Sequence, residues 1–166
     1  DELTAELFRR TGKAPEFTTS CDTEVVLYSY ITWGEDCPCK LNGIFAFAVF
    51  KEQIGASRSG DAPRQSLFLA RDRFGVKPLY YCWVNERRTF LFSSEIKGLL
   101  CHPAVRAQMD RYGLWQLFYL TPVTLHGTTL FKQIYEIQPA YSASIDCTYS
   151  CGDRREIPKL YSRKYW

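Results

Sequence analysis

The segment Leu69–Tyr81 constrains the fold of this chain more than any other, because it places charged and turn-forming residues between two apolar runs. The runs, Ser66–Ala70 and Leu79–Val84, have the length and composition of β-strands. Between them, Gly75 can take a positive φ angle and Pro78 fixes its own φ angle. The segment by itself predicts a charged turn at the rim of a sheet. A functional role for its charges depends on what surrounds it.

Length and charge exclude several classes of protein. The chain has 166 residues, enough for one domain with a hydrophobic core. The net charge is only +3, and basic and acidic residues are interspersed, so nucleic acid is not an expected partner. No apolar run reaches the ~18 residues that a membrane-spanning helix needs, so no membrane partner is expected either.

The seven cysteines are odd in number and scattered through apolar runs and loops. This distribution argues against a disulfide framework and favours reduced thiols in a cytoplasmic protein. The close pairs, Cys37 with Cys39 and Cys147 with Cys151, lack the paired C-x-x-C spacing of a zinc site. We therefore expect no metal site and no cofactor in this chain.

The spacing of apolar residues predicts helices over residues 2–11, 22–33, 96–100 and 110–120. In the last of these we expect Leu114, Leu117 and Phe118 to face inward. The Trp33–Cys39 segment is predicted to be a loop, and residues 51–65 a long mobile hairpin loop.

Strands are predicted over residues 41–50, 67–70, 79–84, 89–92, 130–137 and 142–145. The first four are expected to form one meander, and the first, apolar on both faces, to be covered on both sides. Helices gathered at each end of the sequence, around such strands, predict a layered α+β sandwich.

Asp22 has two interpretations from the residues alone. It falls in the first turn of a predicted helix, where the helix dipole favours a carboxylate by a few tenths to about 1 kcal/mol. It is therefore either a helix-start residue or a carboxylate held there to receive a ligand ammonium group. The first interpretation needs no ligand and is the simpler one.

Seven segments, in order, carry a resemblance that covers most of the chain: Phe17–Val25, Trp33-Gly34, Leu41–Ala48, Leu69–Tyr81, Phe92–Lys97, Leu130–Ile134 with Gln138-Pro139, and Tyr165-Trp166. Leu69–Tyr81 matches L-A-R-D-R-F-G-x-K-P-L-Y-Y nearly without change. Together the segments resemble the glutamine amidotransferase half of the glutamine-hydrolysing asparagine synthetases. Each motif is weak alone, but seven in order are specific.

The resemblance implies a fold of the N-terminal-nucleophile type, an αββα sandwich of two antiparallel sheets between helical layers, here truncated at the N-terminus. It implies a partial glutamine amidotransferase domain over residues 1–150 and a linker over residues 151–166 toward an absent synthetase domain. In the family, an N-terminal Cys attacks the glutamine side-chain carbonyl. The ammonia released passes to the synthetase domain, where ATP and Mg²⁺ activate aspartate.

The expected partners are therefore glutamine and the synthetase domain of the same full-length chain, and a homodimer is left open. This chain begins at Asp1 without the nucleophilic Cys or the oxyanion segment. We expect it to contain no catalytic residue and to be inactive alone. The alternatives are another class II amidotransferase, such as the glucosamine-6-phosphate synthase type, or a non-catalytic interaction domain that has lost its nucleophile.

One residue of the glutamine site carries over from the family. Asp22 matches the Asp that holds the α-ammonium group of glutamine, which reverses the preference stated above. A further set matches family positions without an assignable glutamine contact, and we expect it to form a charged network near the synthetase domain that could line the ammonia route: Arg71, Asp72, Arg73, Lys77 and Glu95.

Two departures from the family pattern bear on local structure. Cys21 stands where the family has Ser in a capping box with Glu24, and a thiol is a poorer acceptor, so we expect a weaker cap. Tyr141 follows Pro139-Ala140 where P-P-G-H is usual.

Overall fold

The computed structural model describes residues 2–13, 17–19, 21–53, 64–120, 127–147 and 158–166. The chain divides into two compact units, one of residues 1–43 with 165–166 and the other of residues 44–164. The first unit is helical, and the second contains every strand that the structure describes.

The helical unit contains α1 (Glu2–Thr11), α2 (Asp22–Trp33), a 3-10 helix (Gly34–Asp36) and α3 (Cys37–Lys40). The predicted helices over residues 2–11 and 22–33 are confirmed. The predicted Trp33–Cys39 loop is wrong, because two short helices occupy most of it. Proline suits the first turn of a helix, where no backbone N–H is needed, so a proline at the start of α3 does not prevent it.

The first sheet has four antiparallel strands, in the order β1 (Ala46–Gln53), β2 (Arg64–Arg71), β6 (Tyr141–Asp146) and β7 (Leu160–Lys164). β1 starts later and runs further than the predicted strand over residues 41–50. It lies at the edge of the sheet with its Phe50 side chain exposed, so the expectation that it is covered on both sides is wrong. The middle of the predicted loop, residues 54–63, lies outside the described residues.

The second sheet has three antiparallel strands, in the order β4 (Thr89–Ser93), β3 (Tyr80–Val84) and β5 (Ile134–Glu136). β2 and β3 therefore belong to different sheets, and the predicted four-strand meander is wrong. β5 is also shorter than predicted, because Gln133 takes a φ of 64° and interrupts the extended chain before Ile134.

The main hydrophobic core lies between the two sheets. Leu67 and Leu69 of β2 and Ile145 of β6 contribute from the first sheet, and Tyr81 and Trp83 of β3 from the second. A smaller cluster covers the other face of the second sheet, where α4 (Ile96–Leu100) packs. The predicted α+β class with two antiparallel sheets is confirmed, and it is consistent with a sandwich of the N-terminal-nucleophile type.

The helix predicted over residues 110–120 is confirmed as α5 (Arg111–Tyr119), but its expected orientation is wrong. Leu117 and Phe118 are exposed, while Gly113 and Gln116 are buried. Gly113 allows this because a Cβ atom there would lie 2.4 Å from the carbonyl oxygen of Thr129. The helix therefore packs through its smallest residue.

The tail also differs from the prediction, since Leu160–Lys164 forms β7 and pairs with β6. The edge position satisfies the backbone of this polar segment without burying its side chains. Residues 148–157 lie outside the described part of the chain. The assignment of residues 151–166 as a linker toward another domain stays a prediction.

Two segments carry the chain from one sheet to the other: residues 72–79 between β2 and β3, and residues 137–140 between β5 and β6. Backbone hydrogen bonds join these crossovers, from Ala140 N to Asp72 O at 2.9 Å and from Ile137 N to Leu79 O at 2.9 Å. The motif Leu69–Tyr81 thus contains a sheet-to-sheet crossover rather than a hairpin turn.

Candidate functional site

The Arg71 guanidinium lies at the centre of the two crossovers and is buried. Its Nε donates to the carbonyl of Lys77 at 2.7 Å, and its Nη2 donates to that of Gly75 at 2.8 Å. Its Nη1 donates to the carbonyl of Ile137 at 2.7 Å and to Glu136 Oε1 at 2.6 Å. One cation therefore fixes the shape of residues 75–77 and ties them to the other crossover.

Asp72 shapes the same loop from its other side. The residue is 1% exposed. Its Oδ1 accepts from the backbone N–H groups of Phe74 at 3.1 Å and Val76 at 3.0 Å, and its Oδ2 accepts from Lys77 N at 3.0 Å. Burial raises the pKa of the Asp72 carboxyl, but the backbone hydrogen bonds led by that of Lys77 outweigh burial and hold the pKa below its usual value. The ionised carboxylate thus holds the backbone of residues 74–77 in its turn.

Gly75 is required where the loop turns. Its φ is 65°, and a Cβ atom there would lie 2.6 Å from Pro139 Cγ and 3.0 Å from the Arg71 guanidinium carbon. A side chain would therefore be strained and would displace the buried cation.

The outward side of this loop carries two apolar side chains beside the exposed Lys77. Phe74 is 77% exposed and Val76 is 55% exposed, on a backbone held by buried Arg71 and Asp72. Exposed apolar side chains on a rigid frame are typical of surfaces that meet another protein segment.

The remaining residues of the predicted network occupy different positions. Arg73 is half-buried, and the Lys77 side chain is exposed although its backbone serves both Arg71 and Asp72. Glu95 occupies the N-cap position of α4 without a side-chain cap hydrogen bond, and it forms an exposed ion pair with Lys97 at 2.6 Å. The structure thus brings together Arg71, Asp72 and the backbone of Lys77, while Glu95 pairs elsewhere.

Sequence reasoning missed Glu136, the acid that pairs with Arg71. The pair is largely buried, with side chains 6% and 15% exposed. A signal was present, since a lone carboxylate in the apolar stretch Ile134–Ile137 needs a cation or donors of its own. The sequence does not say which cation, because the partners are 65 positions apart.

In the helical unit, Asp22 begins α2 and its side chain is exposed. The N-cap residue Cys21 makes no side-chain cap hydrogen bond, as the departure from Ser predicts. Instead its thiol lies 3.3 Å from the Thr23 hydroxyl, and that hydrogen bond lowers the pKa of Cys21.

Glu24 holds the segment that precedes α2. Its Oε1 accepts from Thr18 N at 2.9 Å, and its Oε2 accepts from the backbone N and the hydroxyl of Thr19 at 2.9 and 2.8 Å. The hydrogen bond from the Thr18 backbone, followed by those from Thr19, lowers the pKa of Glu24 to about 2. This acid therefore fixes the loop beside Asp22 and leaves the Asp22 carboxylate facing solvent.

The six described cysteines carry free thiols. Burial raises the pKa of Cys37 to about 12, so that thiol is a poor nucleophile. Within the described ranges, no cluster of three or more His, Cys, Asp or Glu could hold a metal ion. None of the helices in the described part is both long and apolar enough to cross a membrane.

Comparison with known proteins places these features in a family. A family model for the glutamine amidotransferase domain matches residues 1–153. Asparagine synthetase [glutamine-hydrolyzing] 3 of Bacillus subtilis is 50% identical over 131 residues, which cover 79% of this chain and 19% of that protein. No solved structure matches the chain.

More distant relatives agree. A putative asparagine synthetase [glutamine-hydrolyzing] 2 of Methanocaldococcus jannaschii is 31% identical over 152 residues, covering 91% of this chain and 26% of the relative. A protein named amidase chry2 of Gibberella zeae is 30% identical over 131 residues, covering 76% and 16%. The chain thus spans at most about a quarter of the length of these relatives. It belongs to the glutamine amidotransferase domain family, in the branch of the glutamine-hydrolysing asparagine synthetases.

Proposed function

We propose that this domain hydrolyses glutamine and supplies ammonia to a synthetase domain of the same full-length chain, in the cytoplasm. There the ammonia is used for the ATP-dependent amidation of aspartate. ATP and Mg²⁺ act in that other domain, and no residue described here is assigned to them. The observation that carries the proposal is the family match over residues 1–153, together with 50% identity to a glutamine-hydrolysing asparagine synthetase.

Asp22 is the residue of this chain proposed to bind glutamine. An ammonium group that leaves water needs a charged partner, and Asp22 presents an exposed carboxylate at the start of α2. The Glu24 hydrogen bonds to Thr18 and Thr19 support this role, because they order the chain beside the carboxylate. An ordered carboxylate loses less conformational entropy on binding.

The crossover loop 72–79 is proposed to face the synthetase domain. Arg71 and Asp72 act from within, by holding the loop, whereas Phe74, Val76 and Lys77 form its outer surface. Arg73 and Glu95 belong to the same proposed border. Reversing the charge of Arg73 is expected to reduce ammonia transfer to the acceptor more than it reduces glutamine hydrolysis.

The 166-residue polypeptide tested alone is proposed to release no ammonia from glutamine above background. The nucleophile of the family is an N-terminal Cys, and none of the described cysteines is assigned to that role. A saturable rate of glutamine hydrolysis from this piece would contradict the assignment of its chemistry.

The deciding experiment uses the full-length natural protein with Asp22→Asn. Loss of a charge-assisted hydrogen bond costs about 1.5–3 kcal/mol, so the KM for glutamine is expected to rise roughly 10–100-fold. Synthesis from added ammonia is expected to stay unchanged, because it bypasses the glutamine site. The matched control is Asp36→Asn, which alters another exposed acid of the same unit. An unchanged KM in Asp22→Asn returns Asp22 to a helix-start role.

A second candidate concerns the acceptor of the ammonia. One relative is named an amidase rather than an asparagine synthetase, which favours testing an acceptor other than aspartate. Full-length protein supplied with glutamine, ATP and aspartate is expected to form asparagine. Glutamine hydrolysis without asparagine formation would support the second candidate.

A further inference from the structure

Helix α5 exposes its aromatic residues and buries Gly113 and Gln116. Phe118 is 76% exposed, Tyr119 73%, Tyr112 47% and Trp115 46%. These four residues are called the aromatic face of α5. A solvent-facing helix normally shows the opposite pattern, with aromatic residues inward and polar residues outward.

The rings of this face are ordered against each other. Tyr112 and Trp115 stack with ring centroids 5.8 Å apart and planes 13° apart, and Trp115 and Tyr119 stack at 5.5 Å and 27°. Trp and Tyr are among the residues enriched where one protein surface meets another. The row thus presents a flat, neutral and preformed surface.

The opposite side of α5 is fixed in place, so the helix cannot rotate to bury these rings. Gly113 approaches the Thr129 carbonyl too closely for any side chain, and Gln116 Nε2 donates to the Thr128 hydroxyl at 3.0 Å. At the N-terminus, Asp110 Oδ2 accepts from Tyr112 N at 2.9 Å and Gly113 N at 3.0 Å. The outward orientation of the rings is therefore built into the packing of the helix.

The size of the face indicates what covers it. Aromatic side chains bury 150–250 Å² each, so these four, at their exposed fractions, offer about 500 Å². A stable interface between separate proteins buries ~800 Å² on each partner, so the face alone is too small to hold a second copy of the chain. A segment joined covalently needs less area, because the linkage raises its effective concentration.

We propose that, in the full-length protein, the aromatic face of α5 is covered by the part of the same chain that carries the synthetase activity. The relatives have room for such a segment, since the matched region is only 19% and 26% of the length of two of them. The inference rests on the proposed function in one respect: the segment that covers the aromatic face is identified as the synthetase domain. It adds a second contact surface, formed by α5, to the border proposed at the crossover loop.

The test is hydroxyl-radical footprinting of the full-length protein, read at Trp115, Phe118 and Tyr119. Each labelling rate is divided by the rate for the same residue in urea. Covered rings are expected to label about tenfold more slowly than in the unfolded chain, as buried rings do, at every protein concentration. Leu69, which is fully buried, gives the protected reference.

Two outcomes overturn the proposal. Labelling of Phe118 at close to its unfolded rate means that nothing covers the face. Protection that disappears when the protein is diluted to monomers means that a second copy covers it. Glutamine-dependent asparagine formation is measured on the same sample, so a failure of the proposed function is seen separately from a failure of the footprint.

A variant pair sharpens the result. Phe118→Glu in the full-length protein is expected to raise labelling of Trp115 and Tyr119 about fivefold, because a carboxylate is excluded from an apolar contact. Tyr161→Glu, on exposed β7, is the matched control and is expected to leave both rates unchanged. If Phe118→Glu fails to fold, Phe118→Ser replaces it. Unchanged labelling in a folded Phe118 variant contradicts the proposal.

Discussion

The start of α2 and the crossover loop after β2 use charges in opposite ways. At α2, Glu24 organises the loop before the helix, and Asp22 stays exposed to solvent. In the crossover, Arg71 and Asp72 are buried, and their polar atoms point into the loop and the neighbouring crossover. Both regions contain family motifs rich in charge, yet the carboxylate of Asp22 is exposed whereas that of Asp72 is buried.

The difference separates buried charges, which hold the backbone, from exposed charges, which a ligand can reach. A buried ion whose partners are backbone groups and one counter-ion stabilises a particular shape, and removing it leaves those partners unsatisfied. An exposed carboxylate stabilises little and is therefore available for binding. Mutations in the crossover should then lower stability strongly, whereas those at the start of α2 should change it less, and the predictions below test this separation.

The largest effect is expected from Arg71→Leu. The substitution leaves the Glu136 carboxylate in a largely buried position without its guanidinium, and three carbonyl groups lose a donor. We expect the free energy of unfolding to fall by about 3–5 kcal/mol, measured by urea unfolding. Lys97→Met breaks the exposed pair with Glu95 and should change stability by a small fraction of that. Equal effects of the two variants would mean that the crossover is not held by its buried charge.

Gly75→Ala should have the next largest effect. The new Cβ atom would meet Pro139 Cγ at 2.6 Å, at a φ of 65° that alanine disfavours. The expected loss is about 2–3 kcal/mol, read as a lower urea midpoint. The control Gly43→Ala has no atom within 4 Å of the new Cβ and should stay within ~0.5 kcal/mol of the parent.

Ala140→Gly should stabilise the protein slightly. Ala140 has a φ of 65°, and its N–H donates to the Asp72 carbonyl, so the strained conformation is imposed by the crossover. Glycine removes the strain but gains more entropy on unfolding, which leaves a net gain of about 0.5 kcal/mol. Ala143→Gly, in the middle of β6, lacks the positive φ and should destabilise. A loss in both variants would show that position 140 carries no relievable strain.

The smallest effect concerns Glu24 and depends on pH. Its pKa is lowered from 4.5 to about 2 in the folded protein, so its contribution to stability is complete above pH ~4.5 and is lost as pH falls through about 2. The stability difference between the parent and Glu24→Gln should therefore shrink across this range. Circular dichroism melts from pH 5 to pH 2 measure it, and a difference independent of pH would be evidence against the carboxylate contacts with Thr18 and Thr19.

Local sequence patterns predicted the local structure well. The helices over residues 2–11, 22–33 and 96–100 follow from apolar spacing and stop signals, because these act within a few residues. The family motifs identified the family, whose model matches residues 1–153. Asp22 was also placed correctly at the start of a helix, although its role in glutamine binding stays a prediction.

The sequence did not show which distant segments pair with each other. The apolar runs before and after Asp72 both predict strands, but a strand pattern does not name its neighbour, so the change of sheet was missed. The Arg71–Glu136 pair was missed for the same reason. The orientation of α5 was predicted wrongly for a different reason. Apolar spacing locates the apolar face of a helix, but it does not say whether that face packs on the core or, as with Phe118, is exposed.

The hydrogen bonds between the two crossovers can form only after both segments have been synthesised. Arg71 leaves the ribosome well before Glu136, 65 positions later, and before Ala140, which binds the Asp72 carbonyl. The β1–β2 hairpin can form early from local contacts. The other neighbour of β2 in the sheet, β6, is synthesised much later. Closing such a long loop is slow. For that interval β2 has an open edge and an incomplete core, which is the stage at which a nascent chain of this design is most exposed to aggregation.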